Sequence, residues 1–305
     1  MAGEQKSREK YLQDQQSFRT NAFLIIKEMV HWCNITEGGK ILVDEILHSI
    51  FFLGEINTPR FPPEEIIPDQ EILDQLKEKY NRPFDCYRTH LPRRSPFSCV
   101  LDMIVLQKKP ENENQIKQTL MDLVNRLAAG FLVSSTICIS KSNKSNNQYG
   151  VSMSTTGRNA GRIVIAASCL SSYWDKYVAG AVMTYYPQKK KKSYFDGTFE
   201  LHGDATCTAY SIKDGSEMDP CKSCGNLFGL QTTCEKEWPY GNCAEAESLS
   251  NLFRNDAEVK RKSRPTSDTC TPENRERAKV DTRRELTNTL KTIKFNTWKG
   301  EFYRA

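Results

Sequence analysis

The sequence predicts an α+β protein: a helical N-terminal region over residues 1–140, then a mixed β-sheet with flanking helices over residues 150–305. Three observations carry this reading. Apolar residues of the first half recur at helical spacing. The Ser/Asn/Lys-rich segment 140–150 is a linker or exposed loop, beyond which β-favouring residues dominate. From Thr271 to Phe295 the pattern becomes helical again.

Taken in order, residues 17–33 place Phe18, Phe23, Ile26, Met29 and Val30 on one helical face, and residues 41–56 repeat that pattern more richly. The proline-broken segment 58–69 is an extended connector. Residues 69–80 make a short amphipathic helix, and 81–97 are irregular. A strong helix follows over 116–133, with Ile116, Leu120, Leu123 and Leu127 on one face. In the second half, residues 162–168 (RIVIAAS) form a short buried strand, 171–186 a helix or a strand, and 198–212 a hairpin about His202-Gly203-Asp204.

Composition sets broad limits. The chain has 305 residues, 38% of them hydrophobic, enough for one large domain or two ordinary ones. Its 43 basic and 38 acidic residues leave a formal charge of +5, which tolerates a nucleic-acid partner without requiring one. The first eighteen residues are polar, without the apolar core of a secretory signal, and no apolar run reaches membrane-spanning length. The expectation is a cytoplasmic protein with no membrane partner; the basic cluster 260–264 reads as a charged linker, a phosphate contact or a nuclear signal that would add nuclear access. In a reducing compartment, clustered cysteines read as metal ligands or free thiols rather than disulfides.

Four of the eleven cysteines fall between Asp219 and Phe253. Cys221 and Cys224 stand two residues apart, a spacing at which one turn of backbone grips one soft cation. Asp219-Pro220 reads as the start of their helix, and Cys234 and Cys243 follow. In Gly241-Asn242-Cys243-Ala244-Glu245, Asn242 is a good N-cap and Glu245 completes a capping-box pattern. Cys243 then lies in the first turn, where the helix dipole favours a thiolate. Glu245 shares a stripe with Leu249 and Phe253, whereas Glu247 aligns with Asn251 and Arg254 and reads as a solvated charge. A carboxylate aimed inward beside a metal ligand is costly unless it has a task.

Cys-Ala-Glu at a helix start together with Pro-Cys-x-x-Cys resembles the zinc-dependent cytidine deaminase superfamily. The resemblance implies zinc held by Cys221, Cys224 and Cys243, with Glu245 as catalytic acid and base. It implies a deaminase-like sheet and hydrolytic deamination of a cytosine- or adenine-type base, as nucleoside or single-stranded nucleic acid. The order is the reverse of the family's, since Pro-Cys-x-x-Cys precedes Cys-Ala-Glu here. A permuted topology, or Cys270 standing in for part of the second motif, accounts for that. The alternative is a non-catalytic interaction protein in which Cys234 closes a four-cysteine structural zinc site, the helical region presenting a surface to a protein partner.

Two other features carry chemistry. Lys189–Lys192, flanked by Tyr185, Tyr186 and Tyr194, fits weak single-strand contact or a solvated loop tip. Residues 152–163 hold two glycines four apart but lack the Gly-Lys-Ser/Thr of a nucleotide phosphate loop. Among the histidines, only His202 falls near the cysteine-rich window, in a turn.

Overall fold

The computed structural model describes the backbone from Ala2 onward and the side chains from residue 13 onward. Most of the polar start that argued against a secretory signal therefore lies, for its side chains, outside the described residues.

The N-terminal region is helical, as expected: α1 (Ala2–Asn34), α2 (Lys40–Glu55), α3 (Pro63–Ile66), α4 (Gln70–Lys79), α5 (Asn81–Cys86), α6 (Pro96–Lys108) and α7 (Glu113–Arg126). Helix α2 is buried almost throughout, and α1 lays Phe18, Ala22, Ile25 and Met29 in the same core. The Asp69 carboxylate caps α4 by accepting from the Ile72 N–H at 3.1 Å. The supposedly irregular stretch 81–97 contains α5 and the first turn of α6. Helix α6 is missed by periodicity because Phe97, Cys99, Val100, Leu101, Met103 and Ile104 bury most of its circumference.

The second half is built on four strands, β1 (Thr136–Ser142), β2 (Gln148–Val151), β3 (Ala205–Ser211) and β4 (Glu217–Met218), in the order β2-β1-β3-β4. Every pairing is antiparallel, so the expected mixed sheet is an antiparallel one among the described residues. Of the Ser/Asn/Lys-rich segment 140–150, only residues 143–147 form the connection of the β1–β2 hairpin; its ends belong to the strands, with Ser140, Tyr149 and Gly150 buried. The expected hairpin about His202 has only its second arm, β3. Its first arm runs beside a helix end instead, Phe199 and Leu201 donating to the carbonyls of Leu227 and Phe228.

The remaining helices are α8 (Arg158–Leu170), α9 (Lys176–Tyr185), α10 (Lys222–Phe228), α11 (Ala244–Asn255), α12 (Ala257–Lys262) and α13 (Pro272–Thr292). The strand expected at 162–168 is the middle of α8. Its β-branched run mimics a strand, but burial of consecutive residues Ile163 through Cys169 is met by helices α9 and α13. Helix α11 crosses the sheet against β1 and β2. Gly150 permits this approach, since a Cβ there would lie 2.4 Å from the Ser248 nitrogen and 2.5 Å from the Ala244 oxygen. One cluster of buried apolar side chains runs from Phe18 to Phe295, through both regions. No helix among the described residues is long and apolar enough to cross a membrane.

Candidate metal centre

Two helix starts bring the cysteines together. Cys221, rather than Asp219, is the N-cap of α10, and its carbonyl accepts from the Cys224 and Gly225 N–H groups at 3.0 and 3.1 Å. The helix ends at Gly229, whose left-handed conformation (φ 66°) and contact with Glu200 leave no room for a side chain. The chain then returns so that Cys243 is the N-cap of α11, one residue later than expected. Asn242 makes no cap, and its Oδ1 is buried without a partner among the described residues. The expected capping box is therefore absent, and Glu245 occupies the second helical position.

The sulfurs of Cys221, Cys224 and Cys243 lie within 4.8 Å of one another. Cys221 Sγ is 3.7 Å from Cys224 Sγ and 3.4 Å from Cys243 Sγ. Zinc–sulfur bonds of about 2.3 Å in a tetrahedron put sulfurs about 3.8 Å apart. The donor set thus fits a thiophilic cation at the scale of these separations. Contact with Cys224, then with Cys243, holds the Cys221 thiol far below the usual range. Contact with Cys221 pushes the other two thiols up. One sulfur ionises readily, and a second charge in so small a space needs a cation to offset it.

Glu245 is buried, at 4% exposure, beside these sulfurs. Burial raises its pKa first and the negative charge at Cys221 adds to that, so the carboxyl is poised to hold a proton. Cys221, Cys243 and Glu245 face one cavity of about 360 Å³, together with Met153, Asn242 and Trp238. Three sulfurs, a buried carboxyl and an accessible cavity make up a site open to a small molecule.

The other cysteines do not join this group. Cys234 lines the same cavity but lies outside the three-sulfur cluster, and Cys270 accepts from the Arg275 guanidinium at 3.3 Å. His202 is half-buried in its turn, its Nδ1 accepting from the Asp204 N–H at 3.2 Å.

Glu247 is buried rather than solvated. Its carboxylate accepts from Ser98 Oγ, from the Tyr173 hydroxyl at 2.7 Å and from the Val151 N–H at 3.0 Å. Arg94, also buried, donates to Ser98 Oγ and the Tyr173 hydroxyl and pairs with Glu45 of α2 at 2.8 Å. Burial, then the nearby Asp102, raises the Glu247 pKa. The available signal was the small pair Ala244 and Ser248 on the adjoining face, where β2 comes close.

The lysine run is mostly occupied within the protein. Lys189 donates to the Glu237 carbonyl at 2.5 Å, Lys191 pairs with Asp196, and Lys192 donates to the Met183 carbonyl at 2.5 Å. Tyr185 stacks on Tyr240 with centroids 3.9 Å apart, Tyr186 is buried, and Tyr194 donates to Asp281. In the second basic cluster, Lys260 pairs with Asp175, and Lys262 with Asp204 and Glu258.

Comparison with family models, with curated proteins and with solved structures finds no match.

Proposed function

We propose that this chain is a zinc-dependent hydrolytic deaminase acting on a cytosine- or adenine-type base, in a nucleoside or in nucleic acid. The observation that carries the proposal is the three-sulfur cluster with Glu245 beside it, open to a cavity of about 360 Å³. Zinc bound there supplies Lewis acidity, which makes water nucleophilic near neutral pH. Glu245 takes a proton as water adds to the amine-bearing ring carbon, and returns it to the departing amine. The balance is one water consumed and one ammonia released, with a carbonyl left on the ring. Trp238, 46% exposed at the cavity, offers an aromatic face to a flat base. The rival four-cysteine structural site is disfavoured by the position of Cys234 outside the cluster.

The test is turnover of cytidine, adenosine and single-stranded oligonucleotides, read as ammonia release, alongside metal content. The purified chain is expected to hold about one zinc, which Cys221→Ser loses. Glu245→Gln should keep the metal and lose turnover by at least about a hundredfold. A zinc-loaded wild-type protein that deaminates none of these substrates, or a Glu245→Gln variant as active as wild type, sinks the proposal.

A further inference from the structure

A second cavity, of about 600 Å³, adjoins the metal cavity, and Met153 and Asn242 belong to the walls of both. The Met153 N–H donates to the Asn242 carbonyl at 2.7 Å, which fixes this shared wall one residue before Cys243. The larger cavity is lined by three cations, Arg158, Arg162 and Lys189, and by no carboxylate.

Two of these cations are available to a ligand. Arg158 is exposed and makes no hydrogen bond or ion pair among the described residues. Arg162 uses one nitrogen on the Pro187 carbonyl at 3.4 Å and has no acidic partner among the described residues. Lys189 is already engaged by Glu237. Arg158 and Arg162 stand one turn apart on α8, a placement that costs stability unless an anion sits between them. The same helix begins at this wall. Gly157 is its N-cap, the first turn holds no acidic residue, and a Cβ on Gly157 would meet nothing within 4 Å. Uncapped N–H groups beside the unpartnered Arg158 guanidinium and the Arg162 guanidinium, only one nitrogen of which is engaged, favour an anionic phosphate oxygen cluster over a neutral or cationic group.

We infer that the second cavity is a phosphate site, so that the substrate is a phosphorylated nucleoside with its base in the metal cavity and a phosphate between Arg158 and Arg162. This rests on the function proposed above. The phosphate can belong to a free nucleotide or to a nucleic-acid strand, which offer the same chemistry to these residues. Residues 152–163 thus serve a phosphate without the Gly-Lys-Ser/Thr loop that they lack, through two arginines and the start of α8.

The experiment is equilibrium binding to the zinc-loaded Glu245→Gln protein, in which no turnover disturbs the titration. Cytidine, adenosine, their 5′-monophosphates and a fifteen-nucleotide single strand are titrated at low and at raised potassium chloride. The monophosphates should bind at least about tenfold tighter than the nucleosides. That preference should shrink with salt and disappear when Arg158→Gln and Arg162→Gln are added, with the melting temperature as the check on folding. A strand that competes below the monophosphate concentration identifies the polymer as the source; a strand that competes no better identifies the free nucleotide. Both results carry the site only if the double substitution removes them. Equal affinity for nucleoside and monophosphate, absence of binding, or a preference that survives the double substitution overturns it. Tight monophosphate binding without turnover by wild type would retain this site and reject the deaminase. Nucleoside turnover without phosphate preference would do the reverse.

Discussion

Cys234 and Glu247 show how far a single residue's neighbours in sequence reveal its role. Cys234 shares a cavity wall with Cys221 and Cys243 yet stands outside their cluster. Cys234→Ser is therefore expected to leave about one metal ion per chain, by elemental analysis after gel filtration. Loss of the metal in that variant would instead identify a closed four-cysteine site. Glu247 accepts from Ser98, Tyr173 and the Val151 N–H, all of which Glu247→Ala strands in the interior. That should cost about 2–4 kcal/mol in chemical denaturation. A change under about half a kcal/mol would place the side chain in solvent after all. The three clustered cysteines and Glu245 were legible because both motifs are local: one turn grips two sulfurs, and one helix start places a third beside a carboxylate. Glu247 was not. Its polar wheel position is overridden by Ser98, Tyr173 and Val151, which arrive from 149, 74 and 96 residues away.

At the scale of elements, the position of α11 over the sheet decides whether Cys243 and Glu245 reach Cys221. That position depends on Gly150 of β2, which touches the backbone of α11 at Ala244 and Ser248. Neither backbone can yield as a side-chain end would. Gly150→Ala should therefore lower stability by about 3 kcal/mol and weaken metal retention, because α11 carries Cys243 as its N-cap. Gly203→Ala, where an added Cβ meets nothing within 4 Å, is the matched control and should stay within about half a kcal/mol. Thermal melting and metal content measured together check this, and equal melting of the two variants would refute the contact. The elements that sequence reading found are those with one apolar stripe, such as α7, where Ile116, Leu120 and Leu123 face inward. Those it mistook are buried on most sides. Helix α8 carries a β-branched run through its middle, and only its α-helical neighbours α9 and α13 explain why it is not a strand.

Across the whole molecule, the helical region is a support for the metal helix as well as a partner in the core. Arg94 joins Glu45 of α2 to the Ser98–Tyr173 pair that holds Glu247, so α2, α6 and α11 meet in one buried polar network. The end of the chain returns to the same region. Tyr303 donates to Asp44 at 2.5 Å and stacks on His48 with centroids 3.8 Å apart. Burial drives the His48 pKa down from 6.5 to about 3, and the His90 and Arg82 charges push the same way. The unfolded chain binds a proton at this histidine below about pH 6.5 that the folded chain does not bind until about pH 3. Stability from His48 is thus fully present above pH 6.5 and is lost as pH falls through that window, at up to about 1.4 kcal/mol per pH unit. His48→Phe keeps a ring against Tyr303 and removes the proton-binding site. The difference in unfolding free energy between wild type and this variant should shift against wild type between pH 6.5 and 5, by about 2 kcal/mol. Denaturation at half-unit pH steps measures it, and parallel pH curves for the two proteins would mean that His48 titrates in the folded chain as it does in water.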